Sequence, residues 1–162
     1  PLRAGGGVMS RLISFALTEE SFLDGTKTAT RRLGWWEDKR GRRLVIPGDR
    51  LTGCRKVMGR TKGEPLVRLG EILVTDVYRQ QLFNMTPADV DREGVPLENF
   101  GGYVPHPSEW VEWFCAEQRC QPWDFVTVIE FYRVPPLGLN GEASCEDWCM
   151  VQCQGPCGGF IA

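Results

Sequence analysis

Gly25-Thr26-Lys27-Thr28-Ala29-Thr30-Arg31-Arg32 is the stretch on which the reading of this chain turns. Behind a glycine turn, eight residues gather one lysine, three threonine hydroxyls and two guanidinium groups. Arginine offers a planar, bidentate fork for phosphate or a base edge, while lysine is a compact point charge. A ligand site is one outcome of such a cluster. A polar β-edge carrying solvated charges is the other, and local composition does not separate them.

Upstream, residues 11–17 alternate weakly and are expected to form a first strand. Thr18 is placed to cap a short helix whose first turn carries Glu19 and Glu20, with Phe22 and Leu23 inward and Gly25 as C-cap. Downstream, residues 26–33 run extended or looped into Trp35-Trp36. Stacking of a base on an aromatic ring is worth about 1–3 kcal/mol. Neighbours on a strand face opposite ways, so one tryptophan belongs to the core, and Trp35 is the candidate pocket residue. Residues 39–43, around Gly41, read as an exposed turn, and Pro47-Gly48-Asp49 as a turn between apolar runs. Strands are expected at 51–58 and 66–78, with a bend or bulge at Gly70.

Thr86-Pro87-Ala88-Asp89 starts a helix, with a cap, a proline at the first position and an acid at the third. Ser108 is expected to cap a second helix running to about Arg119, with Trp110, Val111, Phe114 and Cys115 on its apolar face. Residues 125–132 alternate as a buried strand, and Trp110, Trp113 and Trp123 are assigned to the core. The order of elements implies an α+β, mainly β architecture: a mixed pseudo-barrel of about five or six strands with two to three peripheral helices.

The 162 residues suit one domain, expected at 9–134. Residues 1–8 read as an upstream flank or scar before Met9, and 135–162 as a cysteine-containing tail. No apolar run is long enough to span a membrane and no secretory h-region is visible, so a cytoplasmic setting is expected. The net charge of −2 conceals an asymmetry. Residues 27–68 hold 13 basic and 4 acidic side chains, a local +9 in an otherwise acidic chain. That block suits an anionic partner, although hairpin loops of solvated charge would look the same. Cys54, Cys115 and Cys120 read as reduced residues. Cys145, Cys149, Cys153 and Cys157 recur every four residues, a spacing too even for a zinc site, so no metal is expected. His106, between two prolines, reads as structural or solvated. The chain has no HExxH, Walker or GxGxxG pattern, and no cofactor is expected.

Gly25, Lys27, Thr30 and Arg32 fit the GxKxxTxR signature, and the chain thereby resembles the ASCH family of the PUA-like superfamily. Pro47-Gly48-Asp49 is similar to the family's Gly-Asp turn. The stretches CRKVMGRTKGEPLVRLGEI and TPADVDREGVP are similar to a subgroup common in phage and actinobacterial genomes. The likeness spans residues 11–133 and implies a PUA-like fold with RNA or nucleoside ligands. One branch of the family removes the acetyl group of N4-acetylcytidine. Carried over residue by residue, its catalytic group would be Lys27, Thr30 and Glu71. A threonine hydroxyl is a weak nucleophile that needs a neighbouring base, and a desolvated lysine can be that base. These groups act together only if they converge in one pocket. Gly25, Thr28, Arg31, Arg32, Trp35, Arg55 and Lys56 are the candidate substrate or nucleic-acid contacts. Three functions stay open: an amidohydrolase on a modified cytidine, a non-catalytic RNA-binding module, and a metal-independent ribonuclease.

Overall fold

The computed structural model describes residues 11–34 and 36–135. Within them the elements run β1 (Arg11–Ser14), α1 (Glu19–Leu23), β2 (Ala29–Leu33), β3 (Arg50–Cys54), β4 (Arg68–Gln81), α2 (Pro87–Glu93), α3 (Pro107–Gln118) and β5 (Phe125–Val134). Short 3-10 turns cover Leu82–Asn84 and Leu97–Phe100. The strands form one sheet in the order β1-β3-β4-β5-β2. Only β1 and β3 run parallel; the other neighbours are antiparallel. The expected α+β, mainly β architecture holds, with five strands and three α-helices.

Alternation along β5 sets the two layers. Val126 and Val128 point to one face and pack with Leu82, Trp110 and Phe114 under α2 and α3. Ile129 and Phe131 point to the other and join Ile13, Phe15, Phe22 and Ile72 beneath α1. On that second face the rings of Phe15 and Phe22 stack at 4.5 Å. The sheet is open at β1 and β2, and Arg32 on β2 bridges the gap by donating from Nη2 to the Ser14 carbonyl at the end of β1.

Several expectations are met in detail. Gly70 sits at a bulge: Gly53 pairs with Gly70 but Cys54 with Arg68, leaving Leu69 as the extra residue. Thr86 and Asp89 form a reciprocal capping box around Pro87. Others need correction. The cap of α3 is His106, not Ser108: Pro107 takes the first helical position, where no N–H is needed, and His106 Nδ1 accepts from the Ser108 amide. Leu23 is 44% exposed, because a five-residue helix turns only Phe22 fully inward. Trp123 is 62% exposed, since it stands in the turn ahead of β5 and not within the strand. The strand expected at 51–58 ends at Cys54, where the bulge bends the pairing away. Residues 1–8, Trp35 and the four tail cysteines lie outside the described residues. Among the described residues no helix is long and apolar enough to cross a membrane.

Candidate functional site

Helix α1 ends at Asp24, and Gly25 takes the left-handed conformation (φ +83°) that turns the chain back. The Asp24 carboxylate then receives the Thr26 amide at 2.8 Å and the Thr26 hydroxyl at 2.7 Å, a local turn that fixes the loop. The Lys27 amide donates to the Ser21 carbonyl and the Thr28 amide to the Arg92 carbonyl, both at 2.9 Å. The loop is thereby sewn to α1 and to the end of α2. Because β2 begins only at Ala29, the alternation of a strand does not govern where Lys27 points relative to Thr30.

Lys27 is buried, with Nζ 2.9 Å from Glu93 Oε2 and 2.6 Å from the Glu93 carbonyl. Arg31 reaches the same carboxylate from β2, with Nη1 2.9 Å from Glu93 Oε1, while its Nη2 meets Asp89 Oδ1 at 3.0 Å. Side-chain exposure is 2% for Lys27, 0% for Arg31 and 5% for each acid, so these charges are compensated by one another and not by water. Gln80 Oε1 takes two further Arg31 donors. A second ring surrounds the first: Arg92 spans Asp89 at 2.7 Å and Glu130 at 2.6 Å, and the Tyr78 hydroxyl donates to Glu130 at 3.0 Å.

Strand register divides the rest. Arg31 pairs with Val128 and looks towards the helical layer. Thr30 pairs with Ile129 and, 4% exposed, faces the layer that holds Phe15. Arg32 shares that face, with Cζ 5.9 Å from the Phe15 ring; Lys27 Nζ lies 5.9 Å from the same ring. Two cations thus flank one phenyl ring, and the buried Nε of Arg32 has no partner.

Burial pulls the Lys27 pKa below its ordinary value; the Glu93 charge resists. For Asp89 burial pushes upward, but the amide and hydroxyl of Thr86 and the Arg31 charge outweigh it and hold the acid at about 2. Tyr78 is pushed up to about 12 by burial and by its bond to Glu130.

Glu93 leads into Gly94, which has φ +59° and stands against α1: a Cβ there would lie 2.7 Å from Ser21 Cβ and 3.1 Å from Lys27 Cβ. Beside this contact runs an open groove of about 810 Å³. Gly25, Thr26 and Thr28 form one wall, and Gly94, Val95 and Leu97 face them. Its remaining lining pairs apolar Val90 and Val104 with the carboxylates of Glu20, Asp24, Asp91 and Glu98.

The structure brings Lys27, Arg31 and the start of β2 to α2, and leaves other candidates elsewhere. Glu71 lies opposite Thr52 on β4, 49% exposed, and pairs with Arg50 at 3.4 Å. It stands six residues along β4 from Val77, which shares a row with Ile129 and Thr30; at about 3.3 Å per residue that is roughly 20 Å. Arg55 pairs with Glu19 at 2.7 Å and Lys56 with Glu64 at 3.6 Å, both pairs away from the buried network. Trp36 packs on the Phe15 core. Trp35 lies outside the described residues. Sequence reasoning missed Glu93, Asp89 and Gln80 as partners. Asp89 was visible only as a cap residue, and the one hint of Glu93 was its place before a helix-ending glycine. No three His, Cys, Asp or Glu side chains among the described residues are placed to hold a metal ion.

No family model matches the chain, and no curated protein matches it in sequence. Solved structures similar to it include protein EF3133 from Enterococcus faecalis V583, of family DUF984, with TM-score 0.56 and 15% identity over 80% of this chain and 82% of that one. They also include an ASCH domain from Lactobacillus crispatus JV V101, with TM-score 0.46 and 16% identity over 76% and 78% of the two chains. At these identities the likeness is one of fold, and the chain shares the architecture of the Enterococcus faecalis protein over most of both lengths.

Proposed function

We propose that this protein binds RNA or a modified nucleoside, taking a base into the groove between the Gly25–Thr28 loop and Gly94–Leu97. The observation that carries this reading is the groove's chemistry. Its apolar lining suits the faces of a base, and its carboxylates can accept from an exocyclic amino group, as acids do from cytosine N4. The same carboxylates repel phosphate, so a nucleotide would leave its backbone outside, towards the basic residues beyond β2.

A second reading, removal of an acyl group from a modified cytidine, rests on Lys27 and Thr30 of the signature; both are buried and neither lines the groove, so it draws less support than binding. Burial favours the neutral amine of Lys27, while Glu93, 2.9 Å from its Nζ, favours the charged form. A neutral Lys27 would accept the Thr30 hydroxyl proton as the oxygen attacks the acyl carbon and return it to the departing amine; water, deprotonated by Lys27 in turn, would then hydrolyse the acyl-threonine ester and restore the hydroxyl. In this scheme Glu93, and not the distant Glu71, orients the lysine. Ribonuclease chemistry draws less support still, because Arg31, the natural stabiliser of a phosphorane, is fully buried and already paired with Asp89 and Glu93.

Calorimetric titration with cytidine and N4-acetylcytidine tests the binding. Val104→Arg, which fills the groove from an exposed position, is expected to abolish it. Unchanged binding in that variant refutes the groove. Turnover of N4-acetylcytidine by wild type, lost in Lys27→Ala and Glu93→Gln, separates enzyme from binding module.

A further inference from the structure

At the far end of β2 from the groove the sheet carries a corner that no part of the proposed site uses. Leu33 pairs there with Val126, and the Gly34 amide donates to the Phe125 carbonyl at 3.1 Å. Phe125 also pairs with Gln81 on β4, whose side-chain amide reaches the Trp123 carbonyl. The Phe83 amide bonds the Pro122 carbonyl at 2.9 Å, drawing a third aromatic residue to the same backbone crossing. All three rings are exposed: Trp123 by 62%, Phe83 by 57% and Phe125 by 42%. Three large exposed aromatics on neighbouring stretches of backbone are unusual for a surface with no partner.

Arg79 brings a cation to this corner. The Arg79 guanidinium lies 4.2 Å from the Phe125 ring centroid, a planar cation stacked on an aromatic face. Arg79 pairs across the sheet with Thr127, whose hydroxyl receives the Trp36 amide and donates to the Gly34 carbonyl. From Trp36 the chain enters the hairpin that exposes Lys39 and Arg40. Asp124, the nearest acid by sequence, is engaged by the Gln121 amide.

We propose that this corner is a platform for single-stranded RNA, on which bases flanking the one held in the groove stack against Trp123, Phe125 and Phe83 while Arg79 and the hairpin meet the backbone. The inference rests on the base-binding reading of the groove and narrows it: the substrate is a base within a strand and not a free nucleoside. The five residues of β2, Ala29 to Leu33, join the two places, four steps or roughly 13 Å along an open sheet edge. Aromatic rings without a directional donor set fit a strand whose bases are unstacked, and offer nothing to a duplex whose bases are covered.

The test is fluorescence anisotropy with a labelled single-stranded oligouridylate carrying one central cytidine, its duplex counterpart, and free cytidine by calorimetry. Wild type is expected to prefer the single strand. Trp123→Ala and Phe83→Ala should each weaken it about tenfold or more, with cytidine binding unchanged. Arg79→Gln should weaken it and flatten its salt dependence. Thermal melting shows that each variant is folded, and if one is not, the other two carry the same readout. Single-strand affinity equal to wild type in all three variants overturns the platform. So does a wild-type dimer that these substitutions dissolve without touching RNA affinity, since the corner would then be a self-association face. Loss of cytidine binding in Val104→Arg alongside unaffected aromatic variants leaves the groove standing and this inference refuted. An oligouridylate that binds through the aromatics while cytidine never binds refutes the groove instead.

Discussion

Replacing Glu93 by glutamine isolates what the buried network contributes. The substitution preserves shape but removes the carboxylate shared by Lys27 and Arg31, each 2.9 Å away. Arg31 keeps Asp89 at 3.0 Å, while Lys27 is left with neutral acceptors alone, the main-chain carbonyl of residue 93 at 2.6 Å among them. Removing one partner of a buried pair typically costs about 3–5 kcal/mol, a large part of a domain's net stability. For a chain of this size each kcal/mol moves Tm by about 2–4 °C, so Glu93→Gln should melt roughly 6–20 °C below wild type. An orphaned Lys27 can escape by losing its proton, since burial already lowers its pKa. Unfolding would then take up a proton between the folded pKa and the ordinary value of 10.5, so the variant's deficit should shrink as pH rises from neutral towards that value. Adding Lys27→Met should recover part of the loss, a coupling of about 0.5–3 kcal/mol. Glu71→Gln is the control: its partner is an exposed Arg50 at 3.4 Å, and the change should stay within about 0.5 kcal/mol. The reasoning fails if Glu93→Gln and Glu71→Gln melt alike, or if the Glu93→Gln deficit does not respond to pH.

Tyr78, pushed up to about 12, should stay un-ionised in an ultraviolet titration well past pH 10, and Tyr78→Phe should remove the last step of that curve. Because its folded pKa is the higher one, its contribution to stability is complete below about pH 10 and fades as pH climbs towards 12. Gly53→Ala would place a Cβ 2.7 Å from Phe22 Cζ and 3.0 Å from Phe15 Cε2, within the stacked pair. A loss of about 1–3 kcal/mol by urea unfolding is expected, and a neutral result would show that the rings yield. The Cys115 thiol, raised to about 12 by burial and by its neighbour Cys120 at 3.6 Å, should alkylate slowly in the native protein and fast in denaturant.

Local chemistry in the sequence was enough to place the elements. Period-two apolar runs marked β4 and β5, the Thr86-Pro87-Ala88-Asp89 box marked α2, and Gly70 marked its bulge, because each signal acts between residues close in the chain. The motif at residues 25–32 was equally visible, but its electrostatics were not. Lys27 and Arg31 look alike as basic residues in a polar stretch, yet both are sealed by acids that lie 58 or more positions later. Glu71 and Glu93 likewise have no local feature that tells an exposed strand acid from a buried counter-charge. Which carboxylate meets the lysine depends on α2 packing across the end of β2, with Gly94 allowing the close approach. Burial and pairing are sums over distant neighbours, so they exist only once the chain has folded. Residue type, spacing and turn chemistry already determined where the candidate site begins; the tertiary structure alone decided which of its charges water can reach.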